Sequence, residues 1–388
     1  MSTKPDVFEE ISQVKNAISE LLSLSKKYGA TSAEAVISKS KGITVSSRCK
    51  ELENIEFNQE GALGVSVYVG KHKGSASTAD LSHEALEQTV KAAVDIAKYT
   101  SEDDCSGLVE KELLATDIPD LDLFHPHEIS PEQAIEYCIA SENAAYDCSD
   151  KITNSDGASL SSYQGFKVYG NSHGFVHGYP SSRHSLSCSV IAQDGGDMQR
   201  DYAYTVDREF DKMQSAFWVG EKAAQAAVKM LNPKKLDTCQ VPVIFDAEIA
   251  SSLFGHLVSA ISGGSLYRKS SFLMDSLGQK ILPEFVNIEE RPHILKGLAS
   301  SPFDSEGVQT KDLDIIESGV LTSYLLTGYS ARKMGMKTTG HAGGIHNWLV
   351  KATDPSLESL IKKMDRGLLV TELMGQGVNT VTGDYSRG

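Results

Sequence analysis

Ala247-Glu248-Ile249-Ala250-Ser251-Ser252-Leu253-Phe254-Gly255-His256-Leu257-Val258-Ser259-Ala260 is the stretch from which the second half of the chain is best read. It follows the apolar run Val241–Phe245 and leads into Gly263-Gly264-Ser265-Leu266-Tyr267-Arg268-Lys269-Ser270-Ser271. A short continuous apolar run followed by a longer helical segment predicts a strand and then a helix. Just upstream, Pro233-Lys234-Lys235 marks a domain boundary, because proline stops the preceding helix and the paired charges prefer solvent. At 388 residues the chain is too long for one ordinary core, so two domains are expected, 1–235 and 236–388.

Upstream of the boundary the pattern is helix, meander, helix, and it occurs twice. Phe8, Ile11, Val14, Ile18, Leu21 and Leu22 recur at helical spacing, and Gly29 suits the left-handed position after a helix. Short β-like runs follow at 33–38, 42–47, 51–58, 64–69 and 73–77, separated by turn-forming residues. A helix over 82–99 has Leu86, Val90, Ala93 and Ile96 as its inner stripe, with Ser82 as its cap. Residues 100–129 are acidic and irregular. A helix begins at Ser130-Pro131-Glu132, where proline's missing N–H costs nothing. A second meander spans 152–207, and a helix runs from Ser215 to Leu231. The two halves, 7–99 and 131–231, share no clear residue-level repeat. Downstream, strands are expected at 320–326, 345–350 and 368–373, with helices at 329–334 and 357–364. Runs of strands with segregated helices indicate an α+β fold.

Composition removes several function classes. The net charge of −15 repels phosphate backbones, so nucleic acid is not expected as a direct partner. Six cysteines contain no C-x-x-C pair, which argues against a zinc knuckle, a redox dithiol or a secreted disulfide scaffold. No basic segment precedes an apolar run at the N-terminus, and no stretch of about 18 apolar residues exists. A reducing cytoplasm and no membrane association are the expectation. There is no G-x-x-x-x-G-K-[ST], no G-x-S-x-G and no dinucleotide fingerprint.

Several clusters invite a chemical reading. His173 and His177, with His184 nearby, lie among glycines on strand or turn. Residues four apart on a strand are about 13 Å apart, too far for one zinc, so a structural role is favoured. His341 and His346 flank Ala342-Gly343-Gly344, which permits close approach to a peptide. A third ligand for them could come from Asp384 or Glu372; a structural or peptide-contacting role is preferred. His256 beside Phe254 and Leu257 reads as a packed histidine. Arg268-Lys269 could bind a substrate carboxylate or simply be solvated. Glu289-Glu290 and Asp304-Ser305-Glu306 read as acid pairs on loops, without a sign of burial.

The 247–271 segment, Thr339-Gly340-His341-Ala342-Gly343-Gly344-Ile345-His346-Asn347-Trp348 and Thr371-Glu372-Leu373-Met374-Gly375-Gln376-Gly377 together resemble the PmbA/TldD metallopeptidase family, in its PmbA (TldE) branch. In the TldD branch the helix carries His-Glu-x-x-x-His. Aligned on Arg268-Lys269, those positions fall on Gly255, His256 and Ala260. The resemblance therefore implies a chain without catalytic residues or metal of its own, acting beside a TldD-type catalytic subunit that carries the zinc. It implies an N-terminal layered helix/antiparallel-sheet domain, a strand-rich C-terminal domain, and unfolded peptides or peptide precursors as substrates. His256, Arg268, Lys269, His341 and His346 are the candidate peptide- or cleft-facing residues. In the family further strands come after the Gly383–Gly388 motif, and the TldD branch takes its third ligand, a cysteine, from them. The sequence is thus expected to cover only part of the family's length, with sheet edges left exposed. Two rival readings are an autonomous metal-dependent hydrolase built on His341 and His346, and a regulatory binding protein of the gyrase-modulator type.

Overall fold

A computed structural model describes residues 6–353, 355–375 and 377–387. Gln376 and Gly388, which belong to two of the motifs quoted above, lie outside the described residues. The chain forms two units, Met1–Glu102 with Asp122–Lys235, and Asp103–Leu121 with Leu236–Gly388.

The first unit contains α1 (Val7–Lys27), β1 (Ser32–Arg48), β2 (Glu51–Val69), β3 (His72–Thr78), α2 (His83–Tyr99), α3 (Pro131–Cys148), β4 (Ile152–Asn171), β5 (Val176–Asp194), β6 (Asp197–Asp207) and α4 (Ala216–Lys229). Its six strands form one antiparallel sheet in the order β3-β2-β1-β4-β5-β6. The two helix–meander–helix halves therefore meet at the β1–β4 pair, each contributing three strands in mirrored order. One core packs Ile18, Leu21, Leu86 and Val90 against Ile37, Leu63 and Val65. A second packs Cys138, Val219 and Ala223 against Leu160, Leu186 and Val190.

The sequence runs at 33–38 and 42–47 are one strand, and so are those at 51–58 and 64–69. Residues 39–41 stay in the ladder, paired with Gly61–Gln59 on one side and Phe166–Gln164 on the other. They lie between Ile37 of one core and Ile43 of the other, so the polar break marks the strand's passage from one core to the next rather than a turn. Ile96 is exposed, and Ala97 takes the inner position: residues 86, 90, 93 and 97 share one face at 3.6 residues per turn. Ser82 caps α2 by accepting from the Ala85 N–H, and Ser130 with Gln133 makes a capping box at Pro131.

The second unit contains β7 (Val243–Phe245), α5 (Ala247–Ile261), α6 (Gly263–Tyr267), β8 (Ile288–Glu290), β9 (Leu313–Glu317), β10 (Val320–Leu321), α7 (Gly328–Lys333), β11 (Trp348–Val350), α8 (Leu357–Met364), β12 (Leu368–Val370), β13 (Gly377–Asn379) and β14 (Asp384–Ser386). The main sheet has the order β10-β9-β8-β11; β7 pairs with β12 in parallel, and β13 with β14 antiparallel. Its core holds Ile261, Leu266, Ile288, Ile315, Ile316, Leu321 and Leu326. Mixed helices and segregated antiparallel strands make this an α+β fold. The strand expected at 320–326 stops at Leu321; beyond it Leu325 N–H instead reaches the Ile261 carbonyl. Residues 103–121, assigned above to the N-terminal domain, belong to this second unit. Arg332 donates to the carbonyls of Cys105, Gly107 and Leu108, and Leu114 bridges to Val308. Such long-range hydrogen bonds leave no periodic trace in sequence.

Candidate functional site

Helix α5 begins at Asp246, whose side chain accepts from the Glu248 N–H, and runs without a break to Ile261. Ser262 then turns extended and the chain enters α6. Gly255 faces open space: a Cβ there would meet nothing within 4 Å. Ala260 is fully buried in the second unit's core. His256 is half-buried, with its ring edge-on to Tyr385 at 5.7 Å. Its Nε2 is buried and has no hydrogen-bond partner among the described residues. These three positions offer one imidazole and no second donor, so they do not fit a zinc ion, which needs three protein ligands at a catalytic centre. Arg268 and Lys269 are exposed. The guanidinium of Arg268 lies over the Tyr267 ring at 5.2 Å and donates to its hydroxyl.

The polar centre of this unit is elsewhere. β8 pairs antiparallel with β11, with Glu290 opposite Trp348. That register puts His346, just ahead of β11, beside Glu290. His346 Nδ1 lies 3.0 Å from Glu290 Oε1, and the His346 backbone N–H donates to the same oxygen. His341 Nε2 lies 2.5 Å from Glu290 Oε2, and its Nδ1 is 2.8 Å from Thr339 Oγ1. All three residues are buried, Glu290 to 1% exposure. Burial alone would raise the Glu290 pKa, but the hydrogen bonds from His341 and His346 outweigh it and hold the carboxyl at about 2.

This arrangement corrects three expectations. His341 and His346 do not face a cleft; they are buried against a carboxylate. Their third partner is Glu290, neither Asp384 nor Glu372. Glu289-Glu290 is not on a loop, but ends β8, with Glu289 paired to Arg291 and Lys351. Asp304 is buried too. It accepts from the backbone N–H groups of Glu306, Val308 and Ala342, and so pins the start of the loop that carries the histidines. Burial raises its pKa against those three hydrogen bonds. The signal that sequence reading missed was pairing: Ile288-Glu289-Glu290 is too short and too acidic to read as a strand.

His173, His177 and His184 do not converge. His177 lies on β5 opposite Tyr169, and His173 precedes that strand. His184 is buried, 2.9 Å from Ser162 Oγ through Nδ1, and donates through Nε2 to the His125 carbonyl.

Three comparisons place this geometry among known proteins. The family models for PmbA/TldA metallopeptidase domain 1, central domain and C-terminal domain match residues 33–97, 124–231 and 238–388. The Escherichia coli O157:H7 metalloprotease PmbA is 58% identical over 356 residues, covering 92% of this chain and 79% of that protein. The Haemophilus influenzae PmbA homologue is 55% identical over 377 residues, covering 97% and 83%. Among solved structures, a Bacteroides thetaiotaomicron protein with a gyrase-modulator description superposes with a TM-score of 0.91 at 27% identity, over 97% of this chain and 86% of that one. The Thermococcus kodakarensis TldE structure superposes at 0.82 with 22% identity, over 93% and 83%, which speaks for the fold. The family's name implies a metal, and α5 lacks the donors to hold it. With all three domain models matched and relatives above 50% identity, this chain belongs to the PmbA/TldD metallopeptidase family.

Proposed function

We propose that this chain is the non-catalytic subunit of a peptidase that acts on unfolded peptides and peptide precursors, and that a TldD-type partner supplies the zinc. The observation that carries the reading is the state of α5: Gly255 and Ala260 have no donor atoms, and His256 stands where the general base would be. Relatives named metalloprotease PmbA support the family activity, and the TldE fold supports the branch. The edge of β2 between Glu51 and Ala62 pairs only with β1 among the described residues, and its backbone groups are suited to an extended peptide. Six free cysteines fit a reducing, cytoplasmic compartment. The rival reading, a hydrolase centred on His341 and His346, is disfavoured because burial leaves no access for a peptide there.

The test is reconstitution. The chain alone is expected to cleave no unfolded peptide; mixed with a TldD-type protein it is expected to co-elute as a heterodimer and to support chelator-sensitive cleavage. Failure to co-elute, together with unchanged activity of the partner, would remove the proposal.

A further inference from the structure

We infer that Glu290, His341 and His346 form a binding site for one divalent transition-metal ion, with zinc the ion this donor set suits best. The site is separate from α5. It departs from the expectation that this chain binds no metal, which rested on α5 alone.

The first support is the donor set. Two imidazole nitrogens and one carboxylate oxygen, all buried, converge with their ligand atoms within 4.8 Å of one another. Two histidines and one carboxylate are a recurrent set for zinc and other divalent late transition metals, whereas magnesium and calcium take oxygen donors. Around a tetrahedral zinc with bonds of about 2.0–2.1 Å, neighbouring ligand atoms sit about 3.3 Å apart. His341 Nε2 lies 2.5 Å from one Glu290 oxygen and His346 Nδ1 3.0 Å from the other, so an ion seated among them must part these contacts and draw both rings toward itself.

The second support is what surrounds the carboxylate. Among the described residues no lysine or arginine contacts it; its partners are the two imidazoles and one backbone N–H, so the groups placed beside it are ones that can also ligate a metal. Thr339 Oγ1 accepts from the Leu326 N–H and lies 3.0 Å from the Tyr324 carbonyl. Thr339 thus fixes the His341 ring, with Nδ1 at 2.8 Å from its hydroxyl and Nε2 turned toward Glu290.

The third support is the framework. His341 Nδ1 is held by Thr339, and one Glu290 oxygen by the His346 backbone, the kind of outer contacts that orient metal ligands. Asp304 pins Ala342. Between the histidines the chain passes through Gly343 and Gly344 at φ of +104° and +117°. Gly343, Gly344 and Ile345 are exposed, so this short loop separates the cluster from solvent and can admit an ion by a local change.

The experiment uses the full chain, stripped with a chelator and titrated with Zn²⁺ alone by calorimetry, with elemental analysis and thermal unfolding on the same samples. The expected result is one zinc per chain and a raised thermal midpoint. Glu290→Gln and His346→Ala should each weaken binding at least about 10-fold, whereas His256→Ala should leave it unchanged. Co²⁺ substitution should give the visible absorption of a tetrahedral ion. Should the Glu290 variant fail to fold, wild type and His346→Ala still decide. Absence of stoichiometric zinc in wild type with an unmoved midpoint would mean that the three side chains only hydrogen-bond one another and would overturn the site. Binding lost in His256→Ala but kept in Glu290→Gln would place the ion on α5 and overturn it as well. None of these readouts involves peptidase activity, so the test stands apart from the proposed partnership.

Discussion

Replacing Gly255, His256 and Ala260 by His, Glu and His would write the TldD motif back into α5, but the geometry of this helix keeps the two new histidines from sharing a zinc ion. Positions 255 and 260 are five residues apart, about 500° of rotation or 140° around the helix, with about 7.5 Å of rise between them. Two zinc-bound nitrogens must approach to about 3.3 Å. A continuous α-helix does not bring them together, and α5 is continuous to Ile261. Gly255→His is easy, because its Cβ meets nothing and leaving glycine gains about 0.5 kcal/mol of helix propensity. Ala260→His is costly. Ala260 is fully buried beside Ile261, so an imidazole overpacks the core by about 1–3 kcal/mol and buries polar atoms at about 1–3 kcal/mol more. The net expectation is a loss of about 2–5 kcal/mol, or about 4–20 °C in the melting temperature at about 2–4 °C per kcal/mol. Single Ala260→His should carry nearly all of it. Calorimetric zinc titration beside a peptide-cleavage assay checks the functional half: the triple variant is expected to gain no tight zinc beyond wild type and no turnover. One additional tightly held zinc with peptide cleavage would show that α5 bends readily into ligand geometry, and the reasoning would be wrong.

Three further outcomes are expected. Gly220→Ala should destabilise the first unit by about 2–4 kcal/mol in denaturant melts, because its Cβ would sit 1.9 Å from the Ser141 carbonyl oxygen on the facing helix α3. Arg332→Ala removes three hydrogen bonds to the carbonyls of 105, 107 and 108, and should speed limited proteolysis within 103–121 while leaving cleavage in the first unit unchanged. Asp103 is held at about 2 by hydrogen bonds from Lys333, Tyr329 and the Cys105 N–H. Because its folded pKa lies below the unfolded value, its stabilisation is present above about pH 4 and fades as pH falls toward 2. Asp103→Asn should flatten that limb of a melting-temperature profile, and an unchanged profile would show the contact to be inert.

Much of the fold was legible because helices and caps are local. Ile11, Val14, Ile18 and Leu21 repeat at helical spacing and are buried, and Ser82 and Ser130 cap where their side chains can reach the next turn. The first unit ends at Lys235, just past Pro233, while 103–121 lie in the second unit, an exchange that no local signal marks. The missing donors at Gly255 and Ala260 are a matter of residue type, which sequence states outright. What sequence could not state is which distant groups meet. Glu290 is separated from His341 and His346 by more than 50 residues, and the β8–β11 register brings them together. A two-fold alternation shifted by one residue would have turned the Glu290 side chain to the opposite face of the sheet. The burial that turns an ordinary glutamate and two histidines into one charged cluster likewise depends on neighbours scattered along the chain, so it arises only when the chain has closed on itself.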